Sequence, residues 1–124
     1  MRKLVRTLKV LSDEARLRAL NLVFERECCV CEVMQVLQIS QSKASRILSA
    51  IYDVGIFKLR KEGRCSVYSL DQSGMTETMS QLVVSINQVC KEEPVAMLDR
   101  ERLKTTKRFG ERCNQVMKAE ALSE

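Results

Sequence analysis

The chain has 124 residues, 45% of them hydrophobic and 30% charged. That bounds it to one domain of ordinary size with enough apolar side chains for a core, and excludes composition-driven disorder. One Pro and four Gly exclude collagen-like and loop-rich classes, while 21 basic against 16 acidic residues permit an anionic partner. Histidine is absent, which removes the commonest metal ligand and the commonest general base near neutral pH.

Cysteine occurs six times, as Cys28, Cys29, Cys31, Cys65, Cys90 and Cys113. An even count invites a disulfide framework only in an oxidising compartment. No secretory signal is evident, because Arg6 and Lys9 interrupt the apolar residues behind Arg2 and Lys3. Nor does any stretch approach the roughly 18 apolar residues of a membrane span. The expectation is a cytoplasmic protein with no membrane partner and mostly reduced thiols, whose clustering points to metal or redox chemistry.

In chain order, Leu4, Val5, Leu8 and Leu11 predict a first helix over 2–11. Ser12 is placed as the N-cap of a second, with Asp13 and Glu14 in its first turn and apolar residues from Ala15 to Phe24. A short third helix covers 30–37. After Gln38-Ile39-Ser40, Ser40 caps a fourth helix reaching about Val54, with Ala44, Ile47, Leu48 and Ile51 inward and Gly55 as its left-handed stop. Two helices about a tight polar turn read as a helix-turn-helix.

The period then changes to two. Phe57 and Leu59 alternate with Lys58 and Arg60, Gly63-Arg64 forms a hairpin tip, and Ser66, Tyr68 and Leu70 alternate on the return. A hairpin directly after a helix-turn-helix is a wing. Met75, Met79, Leu82, Val83, Ile86, Val89 and Cys90 form a helical stripe over 75–91, more than a small domain covers, and such stripes commonly pack on a partner chain. Pro94 opens a further segment, Arg100 to Arg108 is charged and reads as mostly solvated, and Phe109, Cys113, Val116 and Met117 repeat the helical spacing. The expected fold is mainly α with a β-hairpin wing, a winged helix-turn-helix ordered α-α-α-α-β-β-α plus a C-terminal helical extension. Residues 1–92 would be the DNA-binding and dimerisation domain and 93–124 the extension.

Residues 41–64 hold six basic residues and two acids, so most of the surplus charge lies on the second helix of the motif and the wing. This is the electrostatic footprint of a duplex-binding module. Gln41, Ser42, Lys43, Ser45 and Arg46, in the N-terminal half of the recognition helix, are candidates for base edges. Arg60, Lys61 and Arg64 on the wing suit phosphates, which position without specifying.

Glu27-Cys28-Cys29-Val30-Cys31-Glu32-Val33 places three thiols within four residues, a donor set that selects thiophilic ions. On a regular helix Cys29 and Cys31 point about 200° apart and cannot share an ion. In extended backbone they can, whereas Cys28 and Cys31 share a helix face. An ion held by Cys29 and Cys31 therefore requires the first turn of the third helix to be unwound or distorted, which would strain the motif that reads DNA. Oxidation of these thiols to a disulfide or persulfide is an alternative signal, favoured by the helix N-terminus and Arg26. Cys28 and Cys31 also have the spacing of a thiol reductase, but no alternating strand–helix pattern, triad or phosphate loop accompanies them, so no enzyme is expected. Cys90 and Cys113 sit on apolar stripes and read as packing residues.

Lys9-Val10-Leu11-Ser12-Asp13-Glu14-Ala15-Arg16-Leu17 resembles the opening of the arsenic-responsive ArsR/SmtB family of bacterial winged-helix repressors. The cysteine segment resembles that family's metalloid box, usually Glu-Leu-Cys-Val-Cys-Asp-Leu. Ser40-Gln41-Ser42-Lys43-Ala44-Ser45-Arg46 resembles its recognition helix, and Lys61 to Leu70 its wing. The resemblance implies a homodimeric repressor on an inverted-repeat operator, released when As(III) or Sb(III) binds. By the same resemblance Cys29 and Cys31 fall on the paired metalloid thiols, and Met34 stands where some arsenic sensors carry a third Cys. Cys28, at a position normally held by Leu, offers a third sulfur, as do Cys65 and Cys113. Cd(II) and Pb(II) also suit several thiolates. Members that sense zinc at the dimer interface use His and Asp, and no His exists here.

Overall fold

The apolar spacings become helices close to where they predict them. The computed structural model describes residues 1–108 and orders them as α1 (Arg2–Leu11), α2 (Glu14–Glu25), β1 (Cys28–Cys29), α3 (Val30–Leu37), α4 (Gln41–Asp53), β2 (Phe57–Glu62), β3 (Cys65–Leu70), α5 (Glu77–Lys91) and α6 (Pro94–Leu103). The terminal stripe from Phe109 to Met117, with Cys113, lies outside the described residues. Among the described residues no helix is long and apolar enough to cross a membrane.

Two helix starts shift by a residue or two, for the same reason. An N-cap needs extended backbone and a side-chain acceptor for the orphan N–H groups. Asp13 has that backbone, and its carboxylate accepts the Arg16 N–H at 3.0 Å. Ser12, the expected cap, instead closes α1, donating to the Lys9 carbonyl at 2.8 Å. Likewise Thr76 caps α5 by accepting the Met79 N–H at 3.2 Å, so Met75 precedes the helix.

The core gathers Leu20 and Leu22 from α2, Val33 and Val36 from α3, Leu48 and Ile51 from α4, and Val67 from β3. α4 ends in a Schellman motif. Gly55 at φ +86 donates to the Tyr52 carbonyl and Ile56 donates to Ile51, both isoleucines being buried. This fixes the angle at which the wing leaves the recognition helix. Tyr68 then packs edge-on to Tyr52 at 6.4 Å between centroids and against Phe57 at 6.2 Å, holding the wing's base on the end of α4.

The expected two-stranded hairpin gains a third strand, in the order β1-β3-β2, all antiparallel. β3 is therefore central and buries both faces: Cys65, Val67 and Tyr68 are all buried, in place of simple alternation. Leu59, expected inward, is 37% exposed, because β2 beyond Phe57 runs out past the helices.

α6 packs on α2, α3 and α5. Its Asp99, fully buried, accepts two hydrogen bonds from Arg18 at 2.8 and 2.9 Å. Arg100 reaches Asn21 at 2.9 Å and the Lys91 carbonyl, and Asn21 donates to buried Asn87. The stretch from Arg100 onward, expected to be mostly solvated, is thus partly built into the fold: its guanidinium groups satisfy carbonyls and amides at the seams between helices.

Candidate functional site

The turn between α3 and α4 is closed by Gln38, which adopts φ 57, a left-handed conformation that costs a non-glycine residue about 1 kcal/mol. Gln38 and Ile39 both donate to the Met34 carbonyl. Ser40 then caps α4 as expected, accepting the Lys43 N–H at 3.2 Å. Of the predicted DNA-reading residues, Ser42, Lys43 and Arg46 are exposed together on the outer face of α4, while Gln41 and Ser45 are half-buried beside them. On the wing Arg64 stands exposed at the tip next to Gly63, and Lys61 donates to Ser66 at 2.7 Å. Arg60 is held at the wing's base by Glu27, with two hydrogen bonds of 3.0 Å, and by Glu62 at 2.9 Å.

The thiols assemble differently from the helical-wheel expectation. Cys29 is the N-cap of α3, with extended backbone at φ −77 and ψ 152. The 200° separation holds only when both residues are helical. Here one is not, and the Cys29 and Cys31 sulfurs face each other at 2.7 Å with the helix complete from Val30 onward. Of the two expected departures from a regular helix, unwinding does not occur; the extended cap conformation of Cys29 alone brings the pair together.

The third sulfur comes from the wing. Cys29 pairs with Val67 across β1 and β3, and Cys65, two residues along β3, projects from the same sheet face. The sulfurs of Cys29, Cys31 and Cys65 lie within 4.8 Å of one another, all buried. Cys28 points to the other face of β1, and its thiol donates to the Arg26 carbonyl at 3.2 Å. Burial, and then the Glu32 carboxylate, push the Cys28 thiol up to about 12, against the opposing pull of Arg26 and Arg108. Met34 is core, Cys90 is half-buried on α5, and Cys113 lies outside the described residues. Sequence reasoning had no local signal for Cys65, because its placement depends on a pairing between strands nearly forty residues apart.

A ring of charge surrounds the cluster. Glu32 forms the capping box of α3, its carboxylate accepting the Cys29 N–H at 3.0 Å. Arg26 at 2.7 Å and Arg108 at 2.8 Å pair with the same carboxylate. Arg108 also reaches Glu62 at 3.3 Å. Three arginines (Arg26, Arg60, Arg108) thus balance three glutamates (Glu27, Glu32, Glu62).

Burial works to raise the Glu32 carboxyl, but Arg26, the Cys29 N–H and Arg108 outweigh it and hold the group below its ordinary value of 4.5. A carboxylate whose folded value is depressed contributes stability that is present above its unfolded value and lost as pH falls through the folded one. Acidification below about pH 4.5 is accordingly expected to lower the melting temperature of the natural chain more steeply than that of Glu32→Gln, as thermal melts across pH 3–7 would record. Equal slopes would show that Glu32 carries none of this dependence.

Residues 13–58, from the cap of α2 into β2, match the family described as bacterial regulatory protein, arsR family. The chain is similar to the cadmium resistance transcriptional regulatory protein CadC homolog of Staphylococcus aureus, 42% identical over 76 residues, which are 60% of each chain. It thus spans about three fifths of that regulator's length. It is also similar to the arsenical resistance operon repressor of Staphylococcus aureus, 31% identical over 85 residues, covering 67% of this chain and 82% of that one. Among solved structures, the transcriptional repressor BigR from Xylella fastidiosa superposes with a TM-score of 0.59 at 26% identity, over 74% of this chain and 89% of that one. The winged helix-turn-helix, its basic outer face and these likenesses agree: the chain belongs to the arsR family of bacterial regulatory proteins, DNA-binding regulators rather than enzymes.

Proposed function

We propose that the chain is a cytoplasmic transcriptional repressor of a metalloid-resistance operon, released from its operator when trivalent arsenic or antimony binds Cys29, Cys31 and Cys65. The observation that carries this reading is the meeting of three buried sulfurs within 4.8 Å, two from the start of the DNA-reading motif and one from the wing. Arsenous acid meeting three thiols exchanges three As–O bonds for three As–S bonds and releases three waters, so the protons leave as water.

Charge supports a trivalent ion. Three thiolates around As(III) carry no net charge, and the six charged groups around the cluster already balance. A divalent ion in the same donor set leaves one buried negative charge unmatched, which is costly. An ion shared by the three sulfurs would tie β3 to the cap of α3, and so couple its occupancy to the angle between wing and helix-turn-helix. A coupling of about 1–3 kcal/mol would weaken DNA binding roughly 5–150-fold, and operator DNA would weaken metalloid binding by the same factor.

Ser42, Lys43 and Arg46 would enter the major groove, with Gln41 and Ser45 beside them, while Lys61, Arg64 and Arg60 would meet phosphates. A homodimer is part of this reading. Leu4, Val5 and Leu8 on α1 and Val84 and Val89 on α5 are exposed apolar residues that a second copy would cover, setting two recognition helices about one DNA turn apart on an inverted repeat.

A second reading, Cd(II) or Pb(II) as inducer, is favoured by the 42% identity to the cadmium regulator homolog. The test uses a fluorescent inverted-repeat duplex selected from a random pool by the protein itself. Arsenite under strict reduction is expected to lower its anisotropy at one equivalent per chain. Release by cadmium alone would establish the divalent reading, and release by peroxide alone a redox signal.

A further inference from the structure

Beyond α6 the chain turns back over the thiol cluster. Thr106 donates to Glu32 at 3.0 Å, and Arg26 ties the turn down by donating to the Leu103 carbonyl and to Thr106. Gln35 brackets the backbone of Lys107, donating to its carbonyl at 2.9 Å and accepting its N–H at 3.2 Å. The Lys107 carbonyl lies 3.9 Å from the Cys31 sulfur. Arg108 then spans Glu32, Glu62 and the Glu27 carbonyl. The carboxylate that fixes Cys29 from below is thus gripped from above by residues more than seventy positions away.

We infer that residues 104–108 are a latch closed over the thiol cluster, with Arg108 and Gln35 as the positioning residues that hold it shut. Cys31 sits under the Lys107 carbonyl, so a reagent arriving from solvent reaches its sulfur only when the latch lifts. The latch therefore sets the rate at which an inducer enters. By shutting over the loaded site it also shields the bound ion from competing small thiols, which slows its exit. This consequence for inducer kinetics rests on the proposed function; the closure itself does not.

The test is alkylation of the full-length protein by N-ethylmaleimide, followed cysteine by cysteine by mass spectrometry. When opening is fast and closing faster, the labelling rate follows the population of the open form. Arg108→Ala is expected to speed labelling of Cys31 at least about tenfold, with Arg108→Lys intermediate because it keeps the charge but not the fork. Half-buried Cys90 on α5, away from the latch, serves as an internal reference whose rate stays constant. Gln35→Ala removes the neutral half of the grip and is expected to act in the same direction, which keeps the test decisive if Arg108→Ala melts early. Unchanged labelling of Cys31 in both variants overturns the latch. Accelerated labelling in a protein that does not retain arsenite would leave the latch standing and sink the metalloid reading; retained arsenite with unchanged labelling would do the reverse.

Discussion

Replacing Cys65 by serine is expected to abolish release by arsenite while leaving operator binding intact. Serine offers a hard oxygen whose proton does not leave near neutral pH, so a thiophilic ion loses one of three soft ligands. Loss of that ligand should cost arsenite affinity at least about a hundredfold, near 2.8 kcal/mol at 1.4 kcal/mol per decade. Cys65 is the first residue of β3 but its side chain is buried, away from the outer face of α4, so affinity for the selected duplex should stay within about threefold of the natural protein. Cys28→Ser provides the contrast. Its sulfur lies across β1 from the cluster, where its thiol donates to the Arg26 carbonyl, so arsenite release should persist. Arsenite titration of both variants, read by duplex anisotropy, decides between them. Normal release in Cys65→Ser with none in Cys28→Ser would move the third ligand to Cys28.

Arg46→Ala is expected to act in the opposite compartment of the molecule. Arg46 is exposed on α4, in line with Ser42 and Lys43 and outside the core that Ile47 and Leu48 fill. Removing it should weaken binding to the selected duplex by about 1–3 kcal/mol, or 5–150-fold. The salt dependence tells which contact was lost. A phosphate contact lowers the slope of log K against log salt by about one, and a base contact instead relaxes sequence preference at one position. Arsenite affinity of the DNA-free protein should be unchanged. Loss of both activities would signal misfolding, and loss of neither would remove α4 as the reading helix.

Much of the fold is legible because local rules act over short windows. Leu4, Leu8 and Leu11 mark α1, Ser40 starts α4, Gly55 stops it, and the switch to period two marks the wing. The site was legible only in part. Cys29 and Cys31 stand out as a pair, yet a helical wheel misplaces them, because it assumes helical backbone on both residues and Cys29 is a cap. β1 spans two residues, too short for any alternation to show. Cys65 joins through the register of β1 on β3, and the latch joins through contacts more than seventy residues apart. Neither leaves a local periodic trace. Arg100 to Arg108 read as solvated because charge predicts exposure on average, whereas here buried Asp99 and Glu32 supply partners that only the folded chain brings near.

The central claim is that the inducer's site is three sulfurs shared between the cap of α3 and the wing. Arsenic-edge X-ray absorption on the loaded protein and on Cys65→Ser counts those neighbours directly. Three sulfurs in the natural protein, falling to two in the variant, is the expected result; two sulfurs in the natural protein, or a count unaffected by Cys65→Ser, would contradict it.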